Sequence, residues 1–565
     1  MTINKMMREQ IKKDIARAVS SFQFPVSSLE IEVTRTSDPR FGDFATNVGL
    51  KAVHLGGGKT SHPRGDIKHS PMEFAKILAD SLEDLPYVEK LEVKEPGFLN
   101  FFIKDEIWQK QVEDVLNRGS KYGANEIAKG QKARVEFVSA NPTGPLHFGN
   151  ARGGPIGDSL ASVLEFCGYK VLREYYHNDV GEQVGKLGQS ILNVSAGKSL
   201  EDQEYKGEYI KEFADEISAQ IIDKTRPTGI TSPSLDWDTF GKKAVDKLLS
   251  EILADCKAMG IKFNEVYSES EFIKSGQTKK ALEKIKKFIK KKNGADWFAP
   301  SDEFLKDRET VVKKSDGSYT YFANDIAYHR LKFQEGYDLV IDILGANHHG
   351  HVPRLKGAVS ALGYDPSKFH VILYQWVRFK RGGKSVAMSK RSGTFITAEE
   401  MLREVGRDAV RFFILMHDAN SHIDFDLDLA RKKSKENPVY YVQYANARIC
   451  SILTKAKRQT TNAKIDYPLP TTHYQLLTTN YELDLIKQIT RLPELVEDIG
   501  QSFAVHRLTT YAIELADSFH KFYENCQVLG TGGDLESARL SLILATKIAL
   551  FNTLKLLGVS APEKM

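Results

Sequence analysis

Apolar and polar positions along this chain follow three different patterns in turn. Up to about residue 112, an amphipathic helix pattern, "MTINKMMREQIKKDIARAV", precedes short strand patterns such as "SLEIEVTRT" and "YVEKLEVKEPGFLNFFI". This mixture predicts an α/β unit. Within it, the stretch at 56–71, "GGGKTSHPRGDIKHSP", is rich in glycine, proline and histidine and predicts a surface loop.

From about residue 134 to 424, apolar strand patterns alternate with helical ones. "ARVEFVSA" opens this region, and further strands are predicted in "YKVLREYYHNDVG", "YTYFANDIAYHRLKF", "YDLVIDILGANHHGHVPRL" and "FHVILYQWVRF". The alternation predicts a parallel sheet covered by helices. Residues 195–256 interrupt the alternation, and we expect them to form a solvent-facing insertion. The run at 279–294, "KKALEKIKKFIKKKNG", has apolar residues at helical spacing, which favours a surface helix over a direct RNA contact.

Beyond residue 430, strand patterns stop and long helical patterns such as "YYVQYANARICSILTKA" take over. These predict an all-helical bundle. The chain is therefore predicted to be a multidomain α/β plus all-α protein. Its predicted domains are an N-terminal α/β domain at 1–112, a parallel-sheet domain at 113–429 and a helical bundle at 430–565.

Composition narrows the class of protein. The chain of 565 residues is 41% hydrophobic and 27% charged, which is ordinary for a globular protein. A net charge of +5 does not by itself indicate a polyanionic partner, so such a site must be a local patch. The absence of a long apolar run or an apolar signal core predicts a cytosolic protein without membrane segments. Four widely spaced cysteines predict core residues rather than disulfides or a zinc site.

Two polar segments carry the candidate chemistry. "SANPTGPLHFGNARGGPIGD", at 139–158, joins a predicted strand to a predicted helix, where a parallel sheet commonly binds anions. Its glycines are predicted to let the backbone approach a phosphate, and His147 to donate a hydrogen bond to it. An ordinary loop would look similar, and the segment matches neither GxGxxG nor GxxxxGK[ST], which disfavours a dinucleotide or P-loop site.

The second segment, "RFKRGGKSVAMSKRSGTFI" at 378–396, has six basic residues between Arg378 and Arg391. Thr397 and Glu400 after it form a predicted capping box that begins a helix. A basic loop of this kind suits closure over a polyphosphate, whereas a merely solvated loop does not explain its regular "MSKR".

Together these segments resemble class I aminoacyl-tRNA synthetases. "HFGN" at 147–150 resembles their HIGH motif, and "AMSKR" at 387–391 resembles their KMSKS loop. Further segments resemble arginyl-tRNA synthetases in particular: "SANPTGPLH", "SDGSYTYFANDIAYH", "GANHHGHVPRLKGA", "GRDAVRFFIL", "YYVQYANARI" and the C-terminal "LKLLGVSAPEKM". The chain departs from the two motifs at Asn150 and Ala387, where the family has histidine and lysine.

The resemblance implies a Rossmann-like catalytic domain, an appended N-terminal domain that contacts the tRNA elbow, and an anticodon-binding bundle. It implies formation of arginyl-adenylate from L-arginine and ATP with Mg²⁺, followed by transfer to tRNA(Arg), by a monomer whose activation step requires bound tRNA. The departures leave two alternatives open: a synthetase-like RNA-binding protein without ligase activity, and a class I synthetase for another amino acid.

Residue roles follow from the same resemblance. His147 and Lys390 are the expected catalytic residues. A planar guanidinium needs carboxylates and neutral acceptors, and Glu136 and Asp325 are the expected carboxylates. Each is predicted to lie at a strand end; an outward-facing strand residue is the alternative for Glu136, and a helix N-cap is the alternative for Asp325.

The expected ATP-binding residues are Pro145, His147, Gly149, Asn150, Gly345, His348, Met388, Ser389 and Lys390. The expected arginine-binding residues are Glu136, Ser139, Asn141, Tyr321, Asp325, Asn347 and His348. The expected tRNA-binding residues are Tyr440, Tyr441, Tyr444 and Arg448, with at least one tyrosine partly in the core.

Three histidines in "GANHHGH" at 345–351 raise the possibility of a metal site. No cysteine or fourth ligand accompanies them, so no protein-bound metal is predicted. Magnesium is expected to be held mainly by the phosphates of ATP.

Overall fold

The computed structural model describes residues 7–21, 30–55, 59–62, 65–68, 70–224, 237–300, 309–386, 396–459 and 473–565. They form an N-terminal α/β part, a central parallel sheet covered by helices, and a C-terminal helical part. The predicted fold class is confirmed.

The N-terminal part is built on an antiparallel sheet of strand order β1-β2-β6-β5. The predicted surface loop at 56–71 is wrong in part, because two strands there, β3 and β4, pair as a hairpin. Its lysine, threonine and aspartate residues lack the apolar alternation by which a strand is detected. The elements are α1 Met7–Ser21, β1 Val33–Arg35, β2 Phe44–Thr46, α2 Val48–Leu55, β3 Lys59–His62, β4 Gly65–Lys68, α3 Pro71–Leu82, β5 Val88–Lys94, β6 Phe98–Ile103 and α4 Asp105–Arg118.

The central part contains a five-stranded parallel sheet of order β14-β13-β7-β8-β9. In chain order the first elements are β7 Lys132–Phe137, α5 Phe148–Ala151, α6 Gly153–Phe166, β8 Lys170–His177, α7 Glu182–Ser195, α8 Glu208–Lys224, α9 Trp237–Ala258, β9 Glu265–Ser268, α10 Glu269–Lys274, α11 Gln277–Lys284, β10 Ile289–Lys292, β11 Ala295–Phe298 and β12 Thr310–Lys313. They continue with α12 Tyr321–Gln334, β13 Leu339–Gly345, α13 Val352–Ala361, β14 Phe369–Tyr374, β15 Val377–Arg381, β16 Lys384–Val386, α14 Ala398–Val405, α15 Arg407–Leu415, β17 Ile423–Asp426 and α16 Leu427–Arg431.

One predicted strand of the sheet is wrong. "YTYFANDIAYHRLKF" forms helix α12, which begins after the N-cap Thr320. The helix is buried on most of its surface, so its sequence lacks the polar face that marks an amphipathic helix. The missing strand is β9, "EVYS", which is short and partly exposed. The sheet therefore has five strands, as expected, but β9 takes the place of the strand predicted at 319–333.

The lysine-rich run at 279–294 is also only half helical. Its first part lies in α11, and Leu282 in this helix and Ile285 at its C-cap are buried as the spacing predicts. Its second part forms β10, which pairs with β11. Residues 195–256 do interrupt the sheet: α8 and α9 pack on α7 around a small core that includes Leu187, Ile191 and Leu248.

The C-terminal part is helical, as predicted. Helix α21 is long and apolar enough, by length and composition, to cross a membrane, but 72% of the qualifying window is buried inside the protein, as in the core helix of a bundle. All four cysteines are free and buried, which confirms the prediction of core residues. The helices are α17 Pro438–Gln459, α18 Asn480–Ile489, α19 Leu492–Ser502, α20 Arg507–Asn525 and α21 Gly533–Leu557.

Candidate active site

The candidate site lies at the carboxyl ends of the parallel strands. After β7 the chain turns sharply at Val138 and Ser139, which have φ angles of 68° and 38°. A β-branched residue rarely adopts this left-handed conformation, and such strain concentrates at functional sites. The Ser139 hydroxyl accepts a hydrogen bond from the Tyr176 N–H of β8 at 3.1 Å, which fixes the turn. The exposed Asn141 accepts one from the Asn178 N–H at 3.3 Å.

Three carboxylates from different elements surround two tyrosines near this turn. Asp325 most of all, and then Glu269 and Glu136, raise the pKa of Tyr321 above its ordinary value. Burial and the same three carboxylates raise the pKa of Tyr176. Hydrogen bonds show how the three acidic side chains are joined. Asn324 of α12 donates to Glu269 of α10, and Lys332 of the same helix donates to Glu136 of β7. Helix α12, which carries Asp325, therefore links the three elements.

Glu136, the last but one residue of β7, is buried and hydrogen-bonded, so the alternative of an outward-facing strand residue is wrong. Lys332 of α12 donates to its Oε2 at 2.5 Å. Burial raises the pKa of Glu136, while the Lys332 charge acts to lower it.

Asp325 is neither at a strand end nor an N-cap. It lies in α12 beside the half-exposed Tyr321, and the N-cap is Thr320. Its Oδ2 lies 2.9 Å from Nε2 of His351. The helix places Asp325 one turn after Tyr321, so both side chains face the same pocket.

Glu269 was not found by sequence reasoning. It is the first residue of α10, directly after β9, and it is 3% exposed. The Asn324 amide donates to its Oε1 at 2.7 Å, and its Oε2 is buried with no hydrogen-bond partner among the described residues. Burial raises the pKa of Glu269 to about 7. A glutamate at a strand end would have signalled it, but β9 itself was not recognised.

The histidine of "HFGN" begins helix α5 as its N-cap. Its Nδ1 accepts a hydrogen bond from the Gly149 N–H at 2.8 Å, so the proton of a neutral ring is on Nε2. The Phe148 N–H donates to the Ile396 carbonyl at 3.0 Å, and the Ala398 N–H donates to the Leu146 carbonyl at 2.8 Å. Residues directly after the basic loop are thus fastened to the histidine turn.

The prediction of a loop over 378–396 is wrong in its first part, because four of its six basic residues lie in the antiparallel strands β15 and β16. The rest of the basic loop, residues 387–395, lies outside the described residues and includes Ala387, Met388, Ser389, Lys390 and Arg391. Its two flanks are described. β16 ends at Val386, and the capping box of Thr397 and Glu400 begins α14 as predicted.

The residues of the histidine turn are more accessible than the glycines that follow the turn. Pro145 and Gly149 are half-buried and Asn150 is exposed, all at the turn itself. Gly153, Gly154 and Gly157 are buried in α6, so the expectation that Gly153 and Gly154 approach a phosphate is wrong. A Cβ at Gly157 would collide with the Phe137 side chain of β7, so glycine there permits close packing of helix on strand.

The loop after β13 forms the far edge of the site. Gly345 ends the strand, Asn347 is exposed and His348 is half-buried. Burial and the neighbouring His351 lower the pKa of His348, which favours a neutral imidazole. Within the described ranges, no group of three or more His, Cys, Asp or Glu side chains could hold a metal ion.

The predicted RNA-binding residues of α17 form one cluster with α20. Tyr440 and Tyr444 stack with ring centroids 6.5 Å apart, and Arg448 donates to the Tyr444 hydroxyl at 2.9 Å. Tyr441 packs partly against the core, as expected. Sequence reasoning missed the α20 members: His520 lies 4.9 Å from the Tyr441 ring, and the Tyr523 ring lies 4.6 Å from the Arg448 guanidinium.

Three family models match the chain in succession: "Arginyl tRNA synthetase N terminal domain" at 7–103, "tRNA synthetases class I (R), catalytic domain" at 111–426 and "DALR anticodon binding domain" at 442–565. The arginine–tRNA ligase of Coxiella burnetii strain RSA 331 is 38% identical, covering 99% of this chain and 100% of the relative. That of Moorella thermoacetica is 42% identical, covering 97% and 96%.

Solved structures share the fold. Thermus thermophilus arginyl-tRNA synthetase superposes with a TM-score of 0.77 at 23% identity, covering 99% of this chain and 100% of that chain. The Plasmodium falciparum enzyme gives 0.75 at 18% identity, covering 99% of each. The chain belongs to the arginyl-tRNA synthetase family of class I aminoacyl-tRNA synthetases.

Proposed function

We propose that this protein is an arginine–tRNA ligase that joins L-arginine to ATP as arginyl-adenylate, releasing pyrophosphate, and then esterifies the 3′-terminal adenosine of tRNA(Arg). The observation that carries the proposal is the hydrogen-bond network by which α12, the helix of Asp325, joins Glu269 and Glu136. Glu136 lies at the end of β7, the strand that leads to the histidine turn. Three acidic side chains joined in this way suit a dicationic amino acid, and the turn that follows suits a nucleotide.

The carboxylates supply the specificity for arginine. Arginine carries two cationic groups, the guanidinium and the α-ammonium, and each needs an anionic or neutral acceptor once it leaves water. We assign these acceptors to Glu136, Asp325 and the newly found Glu269. Ser139, Asn141, Tyr321, Asn347 and His348 complete the pocket with neutral groups. The planar fork of a guanidinium can bond two oxygens of a carboxylate at once, which a lysine ammonium cannot do.

The nucleotide is assigned to the histidine turn. Pro145, Gly149 and Asn150 belong to this turn, and Nε2–H of His147 is the group that would donate to a phosphate oxygen. We assign Gly345 and His348, in the loop after β13, to the same nucleotide. Arginine attacks the α-phosphorus with a carboxylate that is already ionised, so the step needs no general base. Its rate depends on positioning and on neutralising phosphate charge.

The basic loop is assigned to the leaving group. Lys390 would stabilise pyrophosphate, with Met388 and Ser389 beside the nucleotide. The hydrogen bonds that tie residue 396 to the histidine turn support this, because they bring the end of the loop to the nucleotide side. Magnesium would arrive bound to the phosphates of ATP, whose charge it would help to neutralise.

The rest of the chain is assigned to tRNA. Tyr440, Tyr441, Tyr444 and Arg448, joined by His520 and Tyr523, offer aromatic faces and a cation to unpaired bases. We assign residues 430–565 to the anticodon, 1–112 to the tRNA elbow and 113–429 to catalysis, in a protein that acts as a cytoplasmic monomer.

Charging of bulk tRNA with each of the twenty radiolabelled amino acids tests the proposal. Arginine alone should be accepted. Acceptance of a different amino acid would indicate another class I synthetase. Binding of tRNA without any charging would indicate a non-catalytic RNA-binding protein, and either result would overturn the proposal.

A further inference from the structure

Lys332 is a fully buried lysine, and the proposed function gives it no role. It lies near the end of α12, three turns after the N-terminus of that helix, with 0% of its surface exposed. Its ammonium donates to Oε2 of Glu136 at 2.5 Å and to Oδ1 of Asp342 at 2.7 Å, and it lies 3.5 Å from Glu174. A buried ammonium is costly unless it is paired, so these carboxylates and this lysine depend on one another.

The contact leaves one oxygen of Glu136 for a ligand. Among the described residues, only Oε2 of this carboxylate takes part in a hydrogen bond. The Glu136 side chain is 9% exposed, whereas those of Asp342 and Glu174 are 3% and 0% exposed. Glu136 is therefore the member of the cluster that reaches the pocket, and Lys332 holds it from the protein side.

We propose that Lys332 is a positioning residue for arginine: its ammonium fixes one oxygen of Glu136 and keeps this buried carboxylate an anion, so that the other oxygen can receive a cationic group of the substrate. This inference rests on the proposed function, in which Glu136 binds arginine.

The surrounding charges explain why the lysine is needed. Burial, Asp342 and Glu174 all raise the pKa of Glu136, and Lys332 is the cation that opposes them. Although burial acts to lower the pKa of Lys332, Asp342, Glu136 and Glu174 raise it, so the ammonium keeps its charge. Without that charge Glu136 would be a buried carboxyl group facing two other carboxylates, and it would take up a proton as the pH falls.

Other titratable groups also face this cluster and are the same in the wild type and in the Lys332 variants. His329 bridges Asp342 and the Asp325 carbonyl, and Arg134 pairs with Glu174 and Glu335. The remaining groups around Glu136 are Tyr176, Glu269, Tyr321, Asp325 and Tyr328.

Lys332→Gln is the informative variant, because glutamine can still donate to both carboxylates but carries no charge. In aminoacylation assays of the full chain with tRNA, its KM for arginine should rise about tenfold at pH 8, in line with the loss of a charged hydrogen-bond partner. The ratio of variant to wild-type KM should grow further toward pH 6, while the KM for ATP should stay within about twofold. Lys332→Met, which buries no polar atom, is the second variant should the glutamine variant not fold.

Arg134→Gln is the matched control. Arg134 is equally buried in the same cluster but pairs with Glu174 and Glu335, not with Glu136. Its loss should lower the melting temperature comparably and leave the arginine KM ratio independent of pH. If both variants raise the KM equally at every pH, or if Lys332→Gln leaves it unchanged, the positioning role is wrong.

Glu136→Gln separates this inference from the proposed function. If Glu136→Gln leaves the KM for arginine unchanged, the assignment of Glu136 to arginine fails. If it raises that KM and Lys332→Gln does not, only the role of Lys332 fails.

Discussion

The two sides of the active site are built in opposite ways. On the amino-acid side, Glu136, Glu269 and Asp325 come from one strand and two helices, and the side chains of Lys332, Asn324 and His351 hold them. On the nucleotide side, a short backbone turn and an exposed Asn150 meet the end of the basic loop. A site for selecting arginine must be complete before the substrate arrives, because an unmatched buried charge gives the discrimination. A site for phosphate chemistry gains more from charge brought in during the reaction. The following changes should therefore affect different kinetic constants.

The largest effect is expected from Asp325→Ala. It removes an acceptor for a buried cation, and losses of this kind cost a factor of about 100 or more in affinity. The kcat/KM for arginine should fall by at least that factor, while the KM for ATP changes little. Steady-state charging at varied arginine and ATP measures both. Asp365→Ala, at an exposed cap of the same domain, is the control. Equal losses toward arginine and ATP would mean that the two sides are not separate.

A smaller effect, on a different constant, is expected from Lys390→Ala. Loss of a cation that acts on the leaving group should lower kcat about 10- to 100-fold and leave the KM for arginine within about twofold. Single-turnover formation of aminoacyl-tRNA measures the chemical rate directly. Lys314→Ala, on an exposed turn, is the control. A wild-type rate for Lys390→Ala would contradict the role given to the loop.

Glu269→Gln tests whether the ionised Glu269 carboxylate, which is proposed to bind a cation of arginine, destabilises the folded protein in the absence of substrate. The folded pKa of about 7 lies above the ordinary 4.5, so the favourable contribution of this group is present below pH 4.5 and is lost as the pH rises through 7. Between pH 5 and 8 the wild type should lose about 2–3 kcal/mol of unfolding free energy that the variant keeps. Thermal or urea unfolding at both pH values measures this. Saturating arginine should reduce the difference, and an identical pH dependence of the two proteins would contradict the assignment.

The smallest effect is expected from Asn150→His, which restores the family motif. Asparagine and histidine both offer an N–H donor, and the position is exposed. The kcat should change by no more than about threefold, measured in the charging assay at saturating arginine and ATP. A larger gain would show that the nucleotide side of this chain is impaired by its departure from the motif.

The sequence predicted the site segments better than it predicted their neighbours. The turn after β7, the strand that ends at Gly345 and the cap at Thr397 were found because each joins a clear apolar pattern to polar residues. Helix α12 and strand β9 were missed because the first is buried on most sides and the second is short. Helix α12 carries Tyr321 and Asp325, and β9 leads directly into Glu269 of α10, so the error misplaced the first two residues and hid the third.

The amino-acid sequence by itself determined the family, the order of the three parts and the two motif segments, because local apolar periodicity and contiguous motifs are written along the chain. Only the tertiary structure decided that Lys332, Glu136 and Asp342 form one buried cluster, that Glu269 bonds to Asn324 beside Asp325, and that residue 396 is fastened to the histidine turn. These contacts join residues up to about 250 positions apart. The cost of burying a charge depends on what surrounds it in space, and no pattern of neighbouring residues along the chain specifies those surroundings.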